Sequence, residues 1–551
     1  MNELRRFDGR FVSSPLLRIW IGLVFTFAIA AALVHAHALP STERASLAQP
    51  PCVTPPAGPQ ARQDALARLL ASGNPCPRNV LALRTSIRNG GGTLLTAFIN
   101  NRSRHNPGGG SFSLFEMVTG TLASAGEVRE GEFFFGHFTA ASGSTLVLDQ
   151  SPGQGSLMVE AIAWDPGKGL FNFYELLGTG QTGAWFYRGD SQDILIDTEL
   201  LHRDRAAGRP PFGNGLRCAG CHVNGGPIMK ELAPPQNDWW TKARPLPRGG
   251  REFDTQLASI AGGFVDGDRL AAGVRAGVEK LNTSKQYNAI RASRSLQEQL
   301  RPLFCPVEIN FESDITPLDD KAPTTQVPSA LLVDPRVAEG RLDTTRADYD
   351  NALRVTGSDF PEIDRLDADH AWLGPVKATS DQIAVQSLVD AGLIDAEFVS
   401  DVLAVDFTNP ALSGSRCSLL KLVPASASGD WRSEFRKKLA GATGPAAKDL
   451  LANFTAPERT AAAHRQRATT FLDSCRKNLQ TRPFVVSALR LVGQRRAEID
   501  ANEISKKRRH PTQNQGFHQI LEPGFRVIFP VQADTPKPDT LRLSDRCEIT
   551  Q

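Results

Sequence analysis

Hydrophobic and polar positions along this chain fall into four successive regimes. The first is an uncharged run, IWIGLVFTFAIAAALV at residues 19–34, preceded by an 18-residue start holding four arginines and followed by Ala36-His37-Ala38. A basic start, an apolar stretch and a small-residue cleavage pattern predict a secretory signal over 1–38. Counted from Leu16, the same stretch also suits an uncleaved anchor with its basic end in the cytoplasm. Residues 39–60 then hold six prolines among small and polar residues, which predicts a tether. A short helix is expected over 61–71. From about residue 93 the pattern turns to short aromatic and branched runs between glycine-rich turns: TLLTAFI, EFFFGHF, STLVLDQ, LMVEAIAW, LFNFYEL, AWFYRGD and DILIDTEL. These predict a β-rich module over 61–217.

The last regime, 246–551, shows apolar residues at three- and four-residue spacing, as in Leu388, Leu393, Phe398 and Leu403. Helices are predicted over 268–281, 287–304, 382–404, 431–440, 457–478 and 483–498, with a strand at Phe525-Arg526-Val527-Ile528-Phe529. The expected fold class is therefore α+β and multidomain, a β-rich N-terminal module followed by a mainly helical C-terminal region. Between the two lies a glycine- and proline-rich segment, 218–245. With 551 residues, 41% of them hydrophobic, the chain is long enough for ordinary cores in two to four domains. A net charge of +3 gives no reason to expect nucleic acid as a partner. The one concentrated basic stretch, Lys506-Lys507-Arg508-Arg509-His510, follows Glu498, Asp500 and Glu503 and reads as a solvated face or as a dock for an acidic redox partner.

Two strings in this frame carry candidate chemistry. Gly178-Thr179-Gly180-Gln181-Thr182-Gly183 matches a dinucleotide-binding pattern, but a strand-like run lies on each side of it where a helix should follow, so a hairpin loop is expected instead. Cys218-Ala219-Gly220-Cys221-His222 is far more specific. With 8 Cys and 10 His in 551 residues, Cys-x-x-Cys-His should arise by chance in roughly 0.002 of such sequences. The chemistry explains the spacing: two thiols add across the vinyl groups on one edge of a porphyrin, and the adjacent imidazole reaches the iron as axial ligand. A zinc knuckle needs a second Cys or His pair at short spacing, and none follows within the next 80 residues. A thioredoxin-like pair needs a βαβ setting that the flanking glycines and prolines do not suggest. The expected cofactor is one covalent haem c, bound by Cys218 and Cys221 with His222 as metal ligand.

The opposite face of that iron is not decided by the sequence. Met229 is the last methionine, and the seven residues from His222 to it span at most about 25 Å. Met117 and Met158 lie in the β-rich module, where methionine is commonly a core residue. His105, His137, His202, His370, His464, His510 and His518 are further candidates, as is Lys230, and an open position is the remaining alternative. Trp185, Phe186 and Tyr187 before the motif, with Trp239 and Trp240 after it, either wall the haem pocket or pack a β-rich core. Removing Cys218 and Cys221 leaves Cys52, Cys76, Cys305, Cys417, Cys475 and Cys547, enough for three bridges in an oxidising compartment. Their pairing is open, with Cys52–Cys76 and Cys417–Cys475 as the sequence-local pairs.

At Cys218 to His222 the chain resembles the c-type cytochromes over about a dozen residues. That resemblance implies covalent haem, His222 as proximal ligand and redox activity. The order of elements, with a β-rich region before the motif, is similar in layout to the beta-type cytochromes c-prime, whose distal position is open to gases. Taken together the expectation is an exported, periplasmic cytochrome working in electron transfer with a periplasmic redox partner protein, touching the membrane only through an uncleaved N-terminal segment. The alternatives are a haem peroxidase or oxygenase, or a gas-binding protein, with an open distal position. A non-catalytic protein in which haem staples the fold is the third.

Overall fold

Alternating apolar positions on long strands give a sheet with two usable faces, and this chain builds its first half on one. The computed structural model describes residues 52–54, 62–72, 75–101, 111–138, 140–142, 144–148, 157–179, 182–196, 222, 224–228, 238–240, 251–305, 309–312, 322–356, 372, 374–377, 379–456, 460–509 and 541–551. Among these, nine strands form the principal sheet. They are β1 (Val53–Thr54), β2 (Gly92–Asn101), β3 (Ser111–Leu122), β4 (Gly126–Val128), β5 (Phe133–Phe138), β8 (Leu157–Asp165), β9 (Leu170–Thr179), β10 (Thr182–Asp190) and β11 (Asp238–Trp239). The order runs β1-β10-β9-β8-β5-β3-β2-β11, with β4 on the end of β3. All pairings are antiparallel except β1 with β10. Two further short strands, β6 (Ala140–Ser142) and β7 (Thr145–Val147), pair with β12 (Glu252–Phe253) in a small sheet of their own.

One face of the principal sheet is covered by α1 (Ala65–Ser72) and α2 (Val80–Asn89). Leu66, Leu69 and Leu70 from α1, with Val80, Leu83 and Ile87 from α2, pack there on Phe133, Phe135, Val159, Tyr174 and Trp185. Asn79 caps α2 by accepting from Ala82 N at 2.8 Å, the local reason that the helix starts there. A polar network lies under this cover. Buried Asp64 accepts from Tyr174 Oη at 2.5 Å and from Asn172 Nδ2 at 2.7 Å, and burial raises its carboxyl above the ordinary range.

The other face is covered by α5 (Gly267–Thr283) and α6 (Lys285–Ala292), which follow α4 (Thr255–Ala261). Leu270, Val274, Val278 and Leu281 of α5 and Tyr287 of α6 pack on Met117, Phe134, Ile162, Phe171 and Phe173. Between β10 and these helices, α3 (Ser191–Ile196) follows Asp190, whose Oδ1 accepts from Gln192 N at 3.0 Å. The run DILIDTEL, expected as a strand, thus supplies a short helix in its described part. Gly189, at φ +100°, sits where the β10 register shifts between Tyr187 and Asp190, and the Asp190 side chain then favours helix over further extension.

From α7 (Leu296–Phe304) onward the described chain is mainly helical: α8 (Arg346–Thr356), α9 (Thr379–Asp390), α10 (Ala396–Leu403), α11 (Gly414–Ser418), α12 (Trp431–Ala440), α13 (Pro445–Thr455), α14 (Ala461–Asn478) and α15 (Arg482–Arg509). Three two-stranded ribbons accompany them, β13 (Ile309–Glu312) with β16 (Gly374–Lys377), β14 (Thr324–Val327) with β15 (Leu342–Thr345), and β17 (Arg542–Leu543) with β18 (Ile549–Thr550). The protein is thus mixed α and β, with an antiparallel sheet in the N-terminal half and helices in the C-terminal half. A single apolar cluster, from Leu300 and Phe304 through Phe398 and Phe435 to Phe471 and Leu489, forms the core of that helical half.

Three disulfides join Cys52 to Cys76, Cys305 to Cys417 and Cys475 to Cys547. The local pair Cys52–Cys76 forms, but Cys417–Cys475 does not. Cys417 lies on α11 against the end of α7, whereas Cys475 faces the β17–β18 ribbon, so each finds its nearest partner by tertiary packing. Residues 1–38, most of 39–60 and the segment Phe525–Phe529 lie outside the described residues. No described helix is long and apolar enough to cross a membrane.

Candidate functional site

Of the Cys-x-x-Cys-His motif, His222 is described, and Cys218 and Cys221 lie outside the described residues. His222 packs edge-on against Phe173 of β9, with ring centroids 5.2 Å apart. Its Nδ1 lies 2.7 Å from the carbonyl oxygen of Gly226. A carbonyl only accepts, so Nδ1 carries the proton and the lone pair of the neutral ring resides on Nε2. That tautomer and the fixed ring plane are what an axial iron ligand requires. His222 therefore fits the role the motif gives it, and Cys218 and Cys221 are the residues that would carry the thioether bonds.

The backbone behind His222 is held with equal care. Three successive carbonyls each accept from a different group: Asn224 O from Tyr287 Oη at 2.7 Å, Gly225 O from Ser191 Oγ at 2.6 Å, and Gly226 O from His222 itself. Ser191 is in turn fixed by Phe171 N, which donates to its hydroxyl at 2.9 Å. Gly225 needs its lack of a side chain, because φ is +73° and a Cβ would fall 2.9 Å from Ser191 O. A Cβ on Gly226 would fall 2.7 Å from Leu281 Cδ2 on α5. The following Pro227 lies against Gly277 of the same helix, and Gly225 to Ile228 are buried. The loop is therefore wedged between α3, α5 and α6 on the sheet face that carries Phe171 and Phe173.

Other candidates raised by the sequence are placed elsewhere. Met117 shares a face with Phe173, since Met117, Phe134, Ile162 and Phe173 form one cross-strand row. Three strand spacings separate the ends of that row, about 14 Å. Met117 is 0% exposed, and its sulfur occupies the notch at Gly273 of α5, where a Cβ would collide with it. Met158 packs with the α1 and α2 cluster on the opposite face. These two methionines serve as core residues. Met229, Lys230, His105, His202, His370, His510 and His518 lie outside the described residues.

His137 sits on β5, with its side chain on the α2 side of the sheet. Its Nε2 donates to Glu116 Oε1 at 3.1 Å, while Glu116 also accepts from Thr96 Oγ1 at 2.7 Å and pairs with Arg84. Burial, reinforced by the Arg84 cation, lowers the His137 imidazole to about 3. His464, on α14, hydrogen-bonds Asp401 at 2.9 Å in the helical half. Among the aromatic candidates, Trp185 donates to Pro77 O at 2.7 Å and, with Tyr187, belongs to the α1–α2 side. Trp240 packs on Phe264. The aromatic residue that meets His222 is instead Phe173, and the polar ones that hold its loop are Ser191 and Tyr287. None of the three carries a motif. The alternation Phe171-Asn172-Phe173 was the one sequence signal at Phe173, and it marks a strand rather than a site; Ser191 and Tyr287 had none.

Among the described residues, no group of three or more His, Cys, Asp or Glu is arranged to hold a metal ion. Comparison with protein-family models, curated proteins and solved structures finds no match to this chain.

Proposed function

We propose that this chain is an exported c-type cytochrome that holds one covalent haem through Cys218 and Cys221, with His222 as axial iron ligand, and passes single electrons to a periplasmic partner protein. The observation that carries the reading is the 2.7 Å hydrogen bond from His222 Nδ1 to Gly226 O. It assigns the proton to the ring nitrogen that a haem ligand does not use. Bound haem would supply a one-electron couple. The chain's own contribution is to present the Nε2 lone pair, hold the imidazole plane against Phe173 and wall the site with a buried, hydrogen-bonded loop.

A second reading has one specific observation in its favour. Met117 and Met158 are both committed to core packing, so neither is disposed to serve as the second axial ligand. Where no other residue takes that place, a haem with an open distal face would bind small gases or act as a peroxidase or oxygenase.

Absorption spectra of the purified exported protein, oxidised and reduced, with and without carbon monoxide, test both. A low-spin reduced spectrum unmoved by the gas is the expected result for electron transfer, and a high-spin spectrum that shifts with it selects the second reading. Absence of haem absorbance after expression with a working maturation system rejects both.

A further inference from the structure

We infer that Ser191 and Tyr287 are positioning residues that set the donor strength of His222, and hence the reduction potential of the site, by clamping the loop whose carbonyl receives the imidazole proton. This rests on the haem reading above and goes beyond it by naming residues outside the motif. A single backbone carbonyl on a loop is a weak orienting partner if the loop can rotate. Here it cannot rotate freely. The two carbonyls immediately before Gly226 O are fixed by side-chain hydroxyls from two different elements, Tyr287 Oη on α6 and Ser191 Oγ at the start of α3.

Each clamp is itself anchored. Ser191 is 0% exposed and accepts from the backbone of β9 at Phe171, two residues before the Phe173 ring that meets His222. Tyr287 is 3% exposed. Its backbone nitrogen donates to Ser284 Oγ, and Ser284 Oγ donates to Gly169 O at 2.5 Å, just before β9. Both clamps therefore refer the loop to β9, which also positions the face of the imidazole. The hydrogen bond to Gly226 O shifts electron density toward Nε2, which strengthens the ring as an iron ligand and favours the oxidised metal. Loosening the loop weakens that bond, so the oxidised form loses stabilisation and the potential rises.

The test is redox titration of the haem-loaded full chain for wild type, Ser191→Ala, Tyr287→Phe and a control, Ser413→Ala. Ser413 is a comparably buried serine that caps α11 by accepting from Arg416 N at 3.0 Å, far along the chain in the helical half. Each clamp variant is expected to raise the equilibrium constant for reduction at least threefold, about 30 mV at 59 mV per tenfold for one electron. The control is expected to lower stability without moving the potential. Clamp variants that keep the wild-type potential, or a control that shifts it equally, overturn the inference and leave the cytochrome reading standing. A wild-type chain without covalent haem overturns both. If Ser191→Ala does not fold, Tyr287→Phe, which keeps the ring and removes only the hydroxyl, decides alone.

Discussion

A buried imidazole that stays neutral makes the fold sensitive to acid, and His137 is such a group. It is 1% exposed, hydrogen-bonded to Glu116, and lowered from 6.5 to about 3 by burial and then by Arg84. Between those two values the unfolded chain binds a proton that the folded chain does not, so folding stability falls as pH drops from 6.5 toward 3. At pH 4.5 the penalty from this one group is about 2–3 kcal/mol relative to pH 7. Chemical denaturation at the two pH values should show a larger loss for wild type than for His137→Gln, which cannot titrate. An equal loss in both would mean that His137 is charged in the native state. The two histidines illustrate what a sequence does and does not disclose. His222 was singled out by Cys218 and Cys221 at the spacing that covalent haem attachment would demand. His137 was a named ligand candidate only by its place in an aromatic strand, and its actual role depends on Arg84, Thr96 and Glu116, which the sheet brings together from three other elements. Ser191 and Tyr287 were illegible for the same reason, since a hydroxyl bonded to a backbone carbonyl leaves no pattern in sequence.

At the scale of elements, the helices show how far periodicity reaches. The expected helix at 431–440 coincides with α12, and 268–281 lies within α5. The expected 287–304 and 382–404 each divide in two, because capping chemistry interrupts an apolar repeat that continues across the break. Ser295 accepts from Glu298 N to start α7, while Gly392 at φ +69° ends the turn after α9 before Asp395 caps α10. The strand β3 was not foreseen, although it is central to the sheet, since its SFSLFEMVTGTL alternation is diluted by serine, threonine and glycine. Close approach of elements gives a sharper test. A Cβ on Gly277 of α5 would lie 2.6 Å from Gly131 O and 2.9 Å from Pro227 Cγ, whereas one on Gly262 would meet nothing within 4 Å. Gly277→Ala should therefore push the helix off both the turn before β5 and the His222 loop, costing about 2 kcal/mol. Gly262→Ala, at φ −65°, should stabilise by about 0.5 kcal/mol through the unfolded state. Paired thermal melts check this, and equal effects from the two substitutions would contradict the close packing of α5.

For the whole molecule, cysteine chemistry connects the fold to the proposed function. Cys305–Cys417 ties the end of α7 to α11 across 112 residues, and Cys475–Cys547 ties α14 to the terminal ribbon across 72. Beside the first, Lys377 Nζ donates to Cys305 O and to Pro302 O at 2.6 and 2.8 Å, so the end of α7 is held covalently and by a buried lysine amine whose pKa burial lowers to about 7. Closing loops of these lengths restricts the unfolded chain, and losing either bridge should cost about 2–4 kcal/mol. Reduction in the absence of denaturant, or the double substitution Cys475→Ser with Cys547→Ser, should accordingly lower the melting temperature by several degrees. The chain has 8 cysteines, and three bridges account for Cys52, Cys76, Cys305, Cys417, Cys475 and Cys547. If Cys218 and Cys221 are thioether-linked to haem, the denatured but unreduced protein should expose no titratable thiol, and full reduction should release those six bridge thiols alone. Eight thiols after reduction would mean that no haem is attached, while thiols present before reduction at the six bridge positions, located by alkylation and peptide mass, would mean that the chain had not matured in an oxidising compartment. One titration thus reads the bridges that hold the helical half together and the bonds that would hold the cofactor, because both draw on the same set of cysteines.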